Sequence, residues 1–530
     1  MNKIIYILLV ILTGGLVASC YEDKSKEAGF EIPEVTITMN AGEDEEILTA
    51  VYGKELVVKP VIKKGNLGNA NLSYYWEINL LPGGKDLLEI GEEAELHYEV
   101  ANEPSSQAYL LRLKVTDNDE GLDYYKQWAV YVSNSFGEGL VIAHTGNGGE
   151  TSDLTFVKAP QVTYGYNGEV DYTRNIYSLA NGAEIDGRVK ALVTNLASNG
   201  KTYNISRLVA GTNKSVLSLD PVTFKCTMKN DELFLQTPSV YDVETISTVM
   251  GYYLITIIGG KAYGQVCNSA YQFSSPMNYA AGETQVFTGK LALEKNASSQ
   301  TTPVTCYDET NGYFLYLDWM AFNNGSSSIL TQTLEEGQYA FNPGNLPGKK
   351  ALAAGLGNNA EHMHLLHDLT TGKDTVYKLS AIDWTVGGTG KISLDACENI
   401  ANAVGYAFCE NMDVMYYATT DKVYPVIFAG NEAHTGTAWT LPQTAAGERI
   451  TNIQMYQQAW MGNGQNSYGS YPFTHSLNQR QLFVTTYNSS TGEGKIYVLP
   501  VTAMGTGTLG AASQVLDGFG EVTAIGTTMR

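Results

Sequence analysis

The stretch HMHLLHDLTTGKDTVYKL, residues 362–379, decides the fold of the larger part of the chain. Two short runs of apolar, β-branched and aromatic residues flank a turn at residues 370–373 that contains a glycine. Short apolar runs on both sides of a glycine turn are typical of a β-hairpin. The stretch therefore predicts two antiparallel strands, residues 362–367 and 375–379.

Six further hairpins of the same kind lie between Phe136 and Arg530. Together the seven turns fall near residues 148, 212, 260, 310, 372, 421 and 492. A two-strand unit that recurs about every 50 residues or more is typical of a β-propeller. We therefore predict an all-β chain with a seven-bladed β-propeller over residues 135–530, in which residues 521–525 pair with the first blade. Two further β-sandwiches in series are the alternative.

The composition agrees with many short strands and tight turns. The 530 residues include 54 Gly and 35 Tyr, and 17% are charged, where about 25% is usual. This balance excludes a coiled coil, a helical solenoid and a disordered chain. An excess of 55 Asp+Glu over 33 Lys+Arg gives a net charge of −22. Because that field repels phosphate backbones, we expect no nucleic-acid partner.

The first residues carry the pattern of a secretion signal. Lys3 precedes a short apolar run, and small residues lead up to Cys20. This is the order of a signal peptide, residues 1–19, and the run is shorter than the ~20 residues of a membrane span. Val17-Ala18-Ser19-Cys20 resembles a bacterial lipobox, which implies cleavage before Cys20 and its acylation as a lipid anchor. An ordinary signal peptide or an uncleaved anchor is the alternative.

Residues 20–31 are polar and predict a tether. The acidic residues directly after Cys20 resemble the surface-export signal of Gram-negative lipoproteins from glycan-utilising gut-type bacteria. That resemblance implies a protein anchored by lipid in the outer membrane and facing the cell exterior. An anchor that faces the periplasm is the alternative.

Residues 32–134 contain the pattern of about seven short strands, the size of an immunoglobulin-like sandwich. In the clearest strand, every second residue from Tyr109 to Val115 is apolar. This strand, which follows one that contains Trp76, resembles the polycystic-kidney-disease-type (PKD) domain, where a Tyr-x-Val-x-Leu-x-Val-x-Asp strand leads into an acidic hairpin. The resemblance implies an Ig-like module that acts as a spacer or a binding platform.

Asp117, Asp119 and Asp123 lie around that hairpin. Clustered oxygen ligands suit Ca²⁺, so a structural calcium ion is one interpretation of the three aspartates. The alternative is an acidic hairpin exposed to solvent. We expect no other cofactor.

Histidine and cysteine patterns point to no metal centre and no disulfide scaffold. In a strand, His362 and His364 share one face while His367 lies on the other, so three nitrogens do not converge. Five cysteines remain after Cys20, an odd and dispersed set; Cys397 and Cys409 could pair, with buried free thiols as the alternative. No G-x-S-x-G and no H-E-x-x-H is present, so no catalytic residue is assigned.

A long segment from residue 455 to residue 473 is rich in aromatic and amide side chains. Aromatic faces stack on sugar rings, and amides bond to hydroxyls or peptides. Long loops are often functional. The candidate ligand-binding residues are therefore Tyr456, Trp460, Tyr468 and Tyr471. The alternative is a loop whose aromatic side chains pack on a neighbouring blade.

The order of lipobox, PKD-like module and β-rich domain resembles PKD-like family surface lipoproteins associated with starch-utilisation-type (SusC/SusD-like) uptake systems. Cys20 and the strand from Tyr109 to Asp117 carry this resemblance. It implies a non-catalytic accessory of a TonB-dependent transporter and its lid lipoprotein, which captures an oligosaccharide or a peptide. A surface propeller enzyme, either a glycoside hydrolase or a lyase, and a purely structural scaffold are the alternatives.

Overall fold

The computed structural model of the chain describes residues 35–39, 47–65, 71–105, 107–133, 138–163, 166–198, 203–249, 253–266, 272–277, 285–293, 304–317, 321–322, 328–329, 337, 339–382, 385–442, 446–457, 465–466, 469–470 and 477–528. These residues are almost entirely strands and turns, which confirms the all-β prediction. Among them no helix has the length and apolar character needed to cross a membrane. The chain divides into two compact units, Met1–Ser135 and Phe136–Arg530.

The first unit has nine strands among its described residues, against the seven or so predicted. They are Val35–Thr38 (β1), Ile47–Val51 (β2), Glu55–Val58 (β3), Val61–Lys64 (β4), Leu72–Asn79 (β5), Leu87–Gly91 (β6), Leu96–Glu99 (β7), Tyr109–Asp117 (β8) and Leu122–Ser133 (β9). One sheet has the order β2-β9-β8-β5-β6, with β2 parallel to β9. Two further pairs, β1-β4 and β3-β7, complete the unit.

The core of the first unit lies between the five-stranded sheet and the two strand pairs. Tyr109, Leu111 and the two apolar residues that follow at every second position are buried, so the predicted alternation of β8 is confirmed. Val58 of β3 packs in the same cluster. Trp76 and Trp128 stack at its centre with ring centroids 5.6 Å apart. Strand pairs that cover one face of a sheet form a sandwich.

The second unit begins with a short helix and fifteen strands. They are Gly139–Thr145 (β10), Thr151–Lys158 (β11), Asp171–Thr173 (β12), Ile176–Asn181 (α1), Ile185–Asp186 (β13), Val189–Ser198 (β14), Tyr203–Thr212 (β15), Val216–Leu219 (β16), Cys226–Lys229 (β17), Val243–Val249 (β18), Tyr253–Ile258 (β19), Lys261–Val266 (β20), Leu291–Leu293 (β21), Val304–Asp308 (β22), Tyr313–Leu317 (β23) and Ser328–Ile329 (β24). Short turns of 3-10 helix lie at Asn147–Gly149 and Asn230–Leu233.

Seventeen further strands complete the described part of the second unit. They are Lys349–Leu356 (β25), His362–Asp368 (β26), Asp374–Ile382 (β27), Thr385–Ser393 (β28), Gly405–Phe408 (β29), Val414–Ala418 (β30), Lys422–Ala429 (β31), Glu432–Thr435 (β32), Trp439–Thr440 (β33), Glu448–Met455 (β34), Gln465–Asn466 (β35), Gly469–Ser470 (β36), Gln481–Asn488 (β37), Glu493–Ala503 (β38), Thr508–Leu509 (β39), Gln514–Phe519 (β40) and Val522–Thr528 (β41). Short turns of 3-10 helix lie at Asn358–Ala360 and Ile400–Asn402.

Apart from the small pair β35-β36, the described strands of the second unit form seven antiparallel sheets. Sheet 1 is β12-β11-β10-β41 with β13, sheet 2 is β14 to β17, sheet 3 is β18 to β20, and sheet 4 is β21 to β24. Sheet 5 is β25 to β28, sheet 6 is β29 to β32 with β33, and sheet 7 is β34-β37-β38-β39 with β40. Each predicted hairpin forms one strand pair, and β41 pairs with β10 as predicted.

Seven apolar clusters join the seven sheets in cyclic order. Six of them pack a sheet against the next one along the chain, as Met363 of sheet 5 and Met415 of sheet 6 do. The seventh, with Ile142 of sheet 1 and Phe483 of sheet 7, joins the last sheet to the first. Each sheet is therefore packed between the sheet before it and the sheet after it, because neither face of a sheet with buried apolar residues can be left in water.

Four hairpin turns, one in the first unit and three in the second, share one local structure. They begin at Asp117, Asp308, Asp368 and Asn488 and place a glycine four residues later. In each, the side-chain oxygen accepts the amide two residues on, and the carbonyl accepts the glycine amide. The glycines have φ between 67° and 75°, a conformation that costs other residues energy. This turn fixes the register of the strand pairs on either side.

Candidate functional site

A pocket of about 240 Å³ lies where the first strands of sheets 4, 5, 6 and 7 end. Leu293, Leu356, Phe408 and Met455 line it, and each is the last residue of its strand. Ser247 of β18 adds a contribution from sheet 3. Residues that are distant in sequence thus lie together around the pocket, because the first strands of successive sheets end next to one another.

Small residues let these first strands approach one another. A Cβ atom on Gly355 would lie 3.1 Å from side-chain atoms of Phe408, and one on Gly405 would lie 3.0 Å from the amide nitrogen of Ile453. Ala354 and Ala407 also line the pocket. Larger side chains at these positions would separate the strands or fill the space between them.

Six polar residues line the pocket: Ser247, Tyr406, Glu410, Gln454, Gln457 and Gln479. The amide group of Gln454 donates to the carbonyl of Ile525 at 3.4 Å, which links sheet 7 to sheet 1. Burial raises the pKa of Tyr406 to about 12, so its hydroxyl keeps its proton near neutral pH.

Gln479 is held on the pocket wall in a backbone conformation that is uncommon for a residue with a side chain. Its φ is 57°, in the left-handed region, at a cost of roughly 1–2 kcal/mol. Its amide donates to the carbonyl of Tyr456 at 2.9 Å, and its side-chain oxygen accepts the amide of Glu410 at 3.3 Å. The Asn411 side chain donates to its carbonyl at 3.4 Å. These bonds fix Gln479 between sheets 6 and 7, and strained residues of this kind concentrate at functional sites.

The chemistry of the described lining favours recognition by hydrogen bonds. Three glutamines and Tyr406 can both donate and accept. Glu410 is the single carboxylate among the described lining residues, which include no Lys, Arg or His. Hydrolysis of a glycosidic bond commonly uses a pair of carboxylates, whereas binding of a sugar or a peptide needs only donors, acceptors and apolar surface.

Tyr456, one of the four predicted ligand-binding residues, lies in the core. Its side chain is 1% exposed, its hydroxyl donates to the carbonyl of Val162 at 3.0 Å, and its ring meets Phe483 edge to face. The prediction that Tyr456 contacts a ligand is therefore corrected, because an aromatic ring at the seam of sheets 7 and 1 is needed for packing. Trp460, Tyr468 and Tyr471 lie outside the described residues, as does the predicted lipid anchor, Cys20.

Two aspartates of the acidic hairpin in the first unit form ion pairs with Lys64. Nζ of Lys64 lies 2.7 Å from Oδ2 of the fully buried Asp117 and 3.2 Å from Oδ2 of Asp119. Asp123 is exposed and accepts the hydroxyl of Thr116 at 2.6 Å. The hydrogen bond from Lys64 lowers the pKa of Asp117, and that from Asn71 lowers the pKa of Asp119, with Lys64 adding to it. A calcium ion between these aspartates would have to displace the ammonium group of Lys64. The alternative of a hairpin exposed to solvent does not apply to Asp117, because this residue is buried.

The histidines of β26 divide between two faces, as predicted. His362 Nδ1 and His364 Nε2 both lie 2.8 Å from the hydroxyl of Thr305 in sheet 4. His367 instead lies 2.7 Å from Asp374. Burial lowers the pKa of His364 to about 3, so this imidazole is neutral at physiological pH. Within the described residues, no group of three or more His, Cys, Asp or Glu is placed to hold a metal ion.

The described cysteines are free thiols. Cys397 and Cys409, which could have paired, do not form a disulfide, and Cys226 and Cys306 are also free. Cys267 lies outside the described residues. Burial raises the pKa of Cys306 to about 12, so this thiol is unreactive, as expected for a small apolar core residue.

The pocket was not predicted from the sequence, although small residues in the first strands of the sheets are a signal for it. The Ala-Gly pair at residues 354–355 and Gly405 each lie in the strand that precedes a predicted hairpin. Small residues in the first strands of successive repeats indicate that these strands lie close together, so that their ends can form a common site.

Comparison with known proteins supports the assignment of the N-terminal part. Residues 20–188 match the PKD-like family, so this region is a PKD-like domain and the prediction made from Trp76 and the Tyr109–Asp117 strand is confirmed. The match includes all of β1 to β9 and continues to Arg188, into the second unit. No curated protein matches the chain.

Three solved structures are similar to the chain at low identity. A quinonprotein alcohol dehydrogenase-like protein from Bacteroides thetaiotaomicron VPI-5482 is 14% identical, with a TM-score of 0.39, over 89% of this chain and 96% of that one. A Bacillus licheniformis rhamnogalacturonan lyase is 9% identical (TM-score 0.20; 88% and 69%). PorZ, a surface component of the type-IX secretion system of Porphyromonas gingivalis, is 12% identical (TM-score 0.16; 81% and 56%). No functional residue is transferred from them.

Proposed function

We propose that the chain is a cell-surface lipoprotein that captures an oligosaccharide or peptide ligand without transforming it. The observation that carries this proposal is the pocket at the ends of the first strands of sheets 4–7, whose described lining offers amides, two hydroxyls and a single carboxylate. Such a set can hold a ligand in place, but it offers no second carboxylate for acid–base catalysis.

The second unit is best interpreted as a seven-bladed β-propeller. Seven sheets, seven clusters in cyclic order and the pairing of β41 with β10 support this interpretation. In a propeller the first strand of each blade lies nearest the central channel. The pocket would then be one mouth of that channel, a frequent position for a binding site in a ring of sheets.

The proposed cellular setting rests on the sequence. Cys20 in its lipobox-like context would hold the protein in the outer membrane, and the acidic residues after it would direct it to the cell exterior. The PKD-like domain supports a place among accessory lipoproteins of TonB-dependent uptake complexes. The transporter and its lid lipoprotein are the proposed protein partners.

A binding experiment with a filled pocket tests the proposed capture. Ala354 lines the pocket, so Ala354→Leu places a larger side chain in it, whereas Ala503→Leu adds the same atoms at an exposed position of β38. Calorimetric titration of the full chain in detergent with neutral and acidic oligosaccharides and peptides should detect a ligand that A354L no longer binds and A503L still binds. Cleavage products by mass spectrometry would favour an enzyme, and co-purification with a transporter without affinity for any ligand would favour a scaffold.

Lipid anchoring is tested separately. Cys20→Ser should abolish incorporation of labelled fatty acid and release the protein from the outer-membrane fraction, because the acyl chains provide the attachment. Cys226→Ser is the matched control, since Cys226 is a partly buried thiol of the second unit. Equal labelling of both variants would contradict the anchor.

A further inference from the structure

The pocket is small for a whole oligomeric ligand. Its volume of about 240 Å³ is below the roughly 300–1,000 Å³ of pockets that enclose drug-sized molecules. Its lining residues include Tyr406, Phe408, Leu291 and Ile453. A pocket of this size, lined by the ends of several strands, has room for one unit of a longer chain, and a terminal unit can enter it without the chain having to pass through.

The charge of the pocket argues against acidic ligands. The described lining has the carboxylate of Glu410 and no cationic side chain, and the chain as a whole carries a net charge of −22. A uronate or a sulfated sugar would place its anionic group near Glu410 without a counter-charge from the lining, which is unfavourable in a partly buried site.

The hydrogen-bonding groups suit hydroxyls. Gln454 donates one amide hydrogen to Ile525, and the side-chain oxygen of Gln479 accepts from Glu410, so each of these two side chains retains capacity for a further hydrogen bond to a hydroxyl. Gln457 brings a third side-chain amide to the lining. The half-buried Tyr406 brings an aromatic ring to the lining, and aromatic faces suit the C–H faces of a sugar. A neutral sugar unit carries hydroxyls and C–H faces together, so it can use the amides and the apolar wall of the pocket at once.

We infer that the pocket binds one terminal unit of an uncharged oligosaccharide. This inference rests on the proposed function and narrows it from glycan or peptide to the end of a neutral glycan chain. Gln479 is held between sheets 6 and 7 by its hydrogen bonds, and the carboxylate of Glu410 disfavours an acidic sugar.

The probes are neutral hexasaccharides and trisaccharides of glucose, xylose and mannose, hexagalacturonate, and a mixed library of short peptides, titrated calorimetrically into the full chain in detergent. At least one neutral sugar should bind, and its hexamer and trimer should bind with similar affinity because a single unit enters the pocket. Gln457→Ala should weaken that binding by about tenfold. Gln514→Ala, which changes a glutamine of β40 outside the lining, should leave it unchanged.

A substitution of Glu410 tests the effect of charge in the pocket. Glu410→Gln should increase the affinity for hexagalacturonate by about fivefold or more while changing neutral binding little. Glu432→Gln, at an exposed site of β32, should change neither. Binding of hexagalacturonate or of peptides in preference to every neutral sugar overturns this inference but leaves ligand capture intact, and so does an affinity that rises more than tenfold with chain length. Absence of any binding overturns the proposed function and this inference together.

Discussion

The two units of the chain bury polar groups in different ways. In the first unit, Lys64 and Asp117 form an ion pair whose side chains are 4% and 0% exposed, with Nζ 2.7 Å from Oδ2. In the second unit, His362 and His364 are fully buried and share the hydroxyl of Thr305 at 2.8 Å. A hydroxyl has one hydrogen, so it donates to one ring and accepts from the other, and this arrangement needs no charge.

This difference gives each unit its own range of pH stability. The hydrogen bond to Asp117 raises the pKa of Lys64 above 10.5, and the reciprocal bond lowers the pKa of Asp117 below 3.8. The ion pair therefore contributes its full stability between these values and loses it only outside them. Burial lowers the pKa of His364 from 6.5 to about 3, so the second unit loses stability as soon as the pH falls below 6.5.

The largest effect is expected from removing Lys64. Lys64→Met leaves the carboxylate of Asp117 buried without its counter-charge, which costs more than the loss of a neutral hydrogen bond. We expect the first unit to lose most of its amide protection, in β8 above all, while β26 in the second unit keeps its own. Hydrogen exchange of the full chain, followed by mass spectrometry, measures both units at once.

Two further variants separate charge from packing at this site. In Lys64→Met combined with Asp117→Asn, the buried charge is gone and the Asn oxygen still accepts the amide of Asp119, so much of the protection should return. Lys59→Met is the exposed control: its partner is Glu95 and its side chain is 62% exposed, so the change should cost about 1 kcal/mol or less. Equal losses for K64M and K59M would contradict the comparison.

The next effect concerns the neutral network of the second unit. Thr305→Val keeps the shape of the side chain and removes the hydroxyl that both imidazoles contact. Loss of the partner of a buried polar group costs roughly 1–3 kcal/mol each, so the second unit should lose about 3 kcal/mol in urea unfolding. Thr305→Ser keeps the hydroxyl and should lose markedly less. If both variants unfold alike, the network does not stabilise the seam between sheets 4 and 5.

The hairpins could be predicted from sequence because their strands are rich in β-branched and aromatic residues, and their turns end in Gly, as at Gly312, Gly372 and Gly492. The strands that precede the hairpins carry no such signal. Lys349–Leu356, with the sequence KKALAAGL, consists of residues that favour a helix, apart from Gly355. It is a strand because it pairs with β26 and because only small residues fit where first strands crowd together.

Small residues in these strands indicate crowding, but the position of the candidate site could not be predicted from them. The lining residues Leu293, Leu356, Phe408 and Met455 end four strands whose separation in sequence says nothing about their distance in space. Aromatic richness pointed instead to Tyr456, which the seam of sheets 7 and 1 buries. Likewise, the sequence shows that the three aspartates of the acidic hairpin are close together. It does not show that Lys64, 53 residues before Asp117, pairs with two of them.

A mildly acidic pH should destabilise the second unit but not the first, without any mutation. At pH 5 the unfolded chain binds a proton at His364 that the folded chain does not, at a cost of about 2 kcal/mol to the second unit relative to neutral pH. The Lys64–Asp117 pair titrates outside this range, so the first unit should be unaffected through it. Urea unfolding at pH 7.5 and pH 5, with His364→Gln as the variant that lacks this proton, measures the difference. A variant with the wild-type pH dependence would contradict the role of His364.

The smallest losses of stability are expected from Gly→Ala substitutions in the hairpin turn that occurs in both units. The space around the glycine differs between these turns. Gly121 in the first unit and Gly372 in the second have φ of 67° and 69°, and an added Cβ would meet nothing within 4 Å. Alanine at either position should therefore cost only the left-handed backbone, about 1 kcal/mol. A Cβ on Gly312 would lie 2.6 Å from Cα of Pro347, so Gly312→Ala must also move backbone and should cost more. Thermal unfolding of the three variants measures this order, and equal losses would show that the turn acts through its backbone conformation alone.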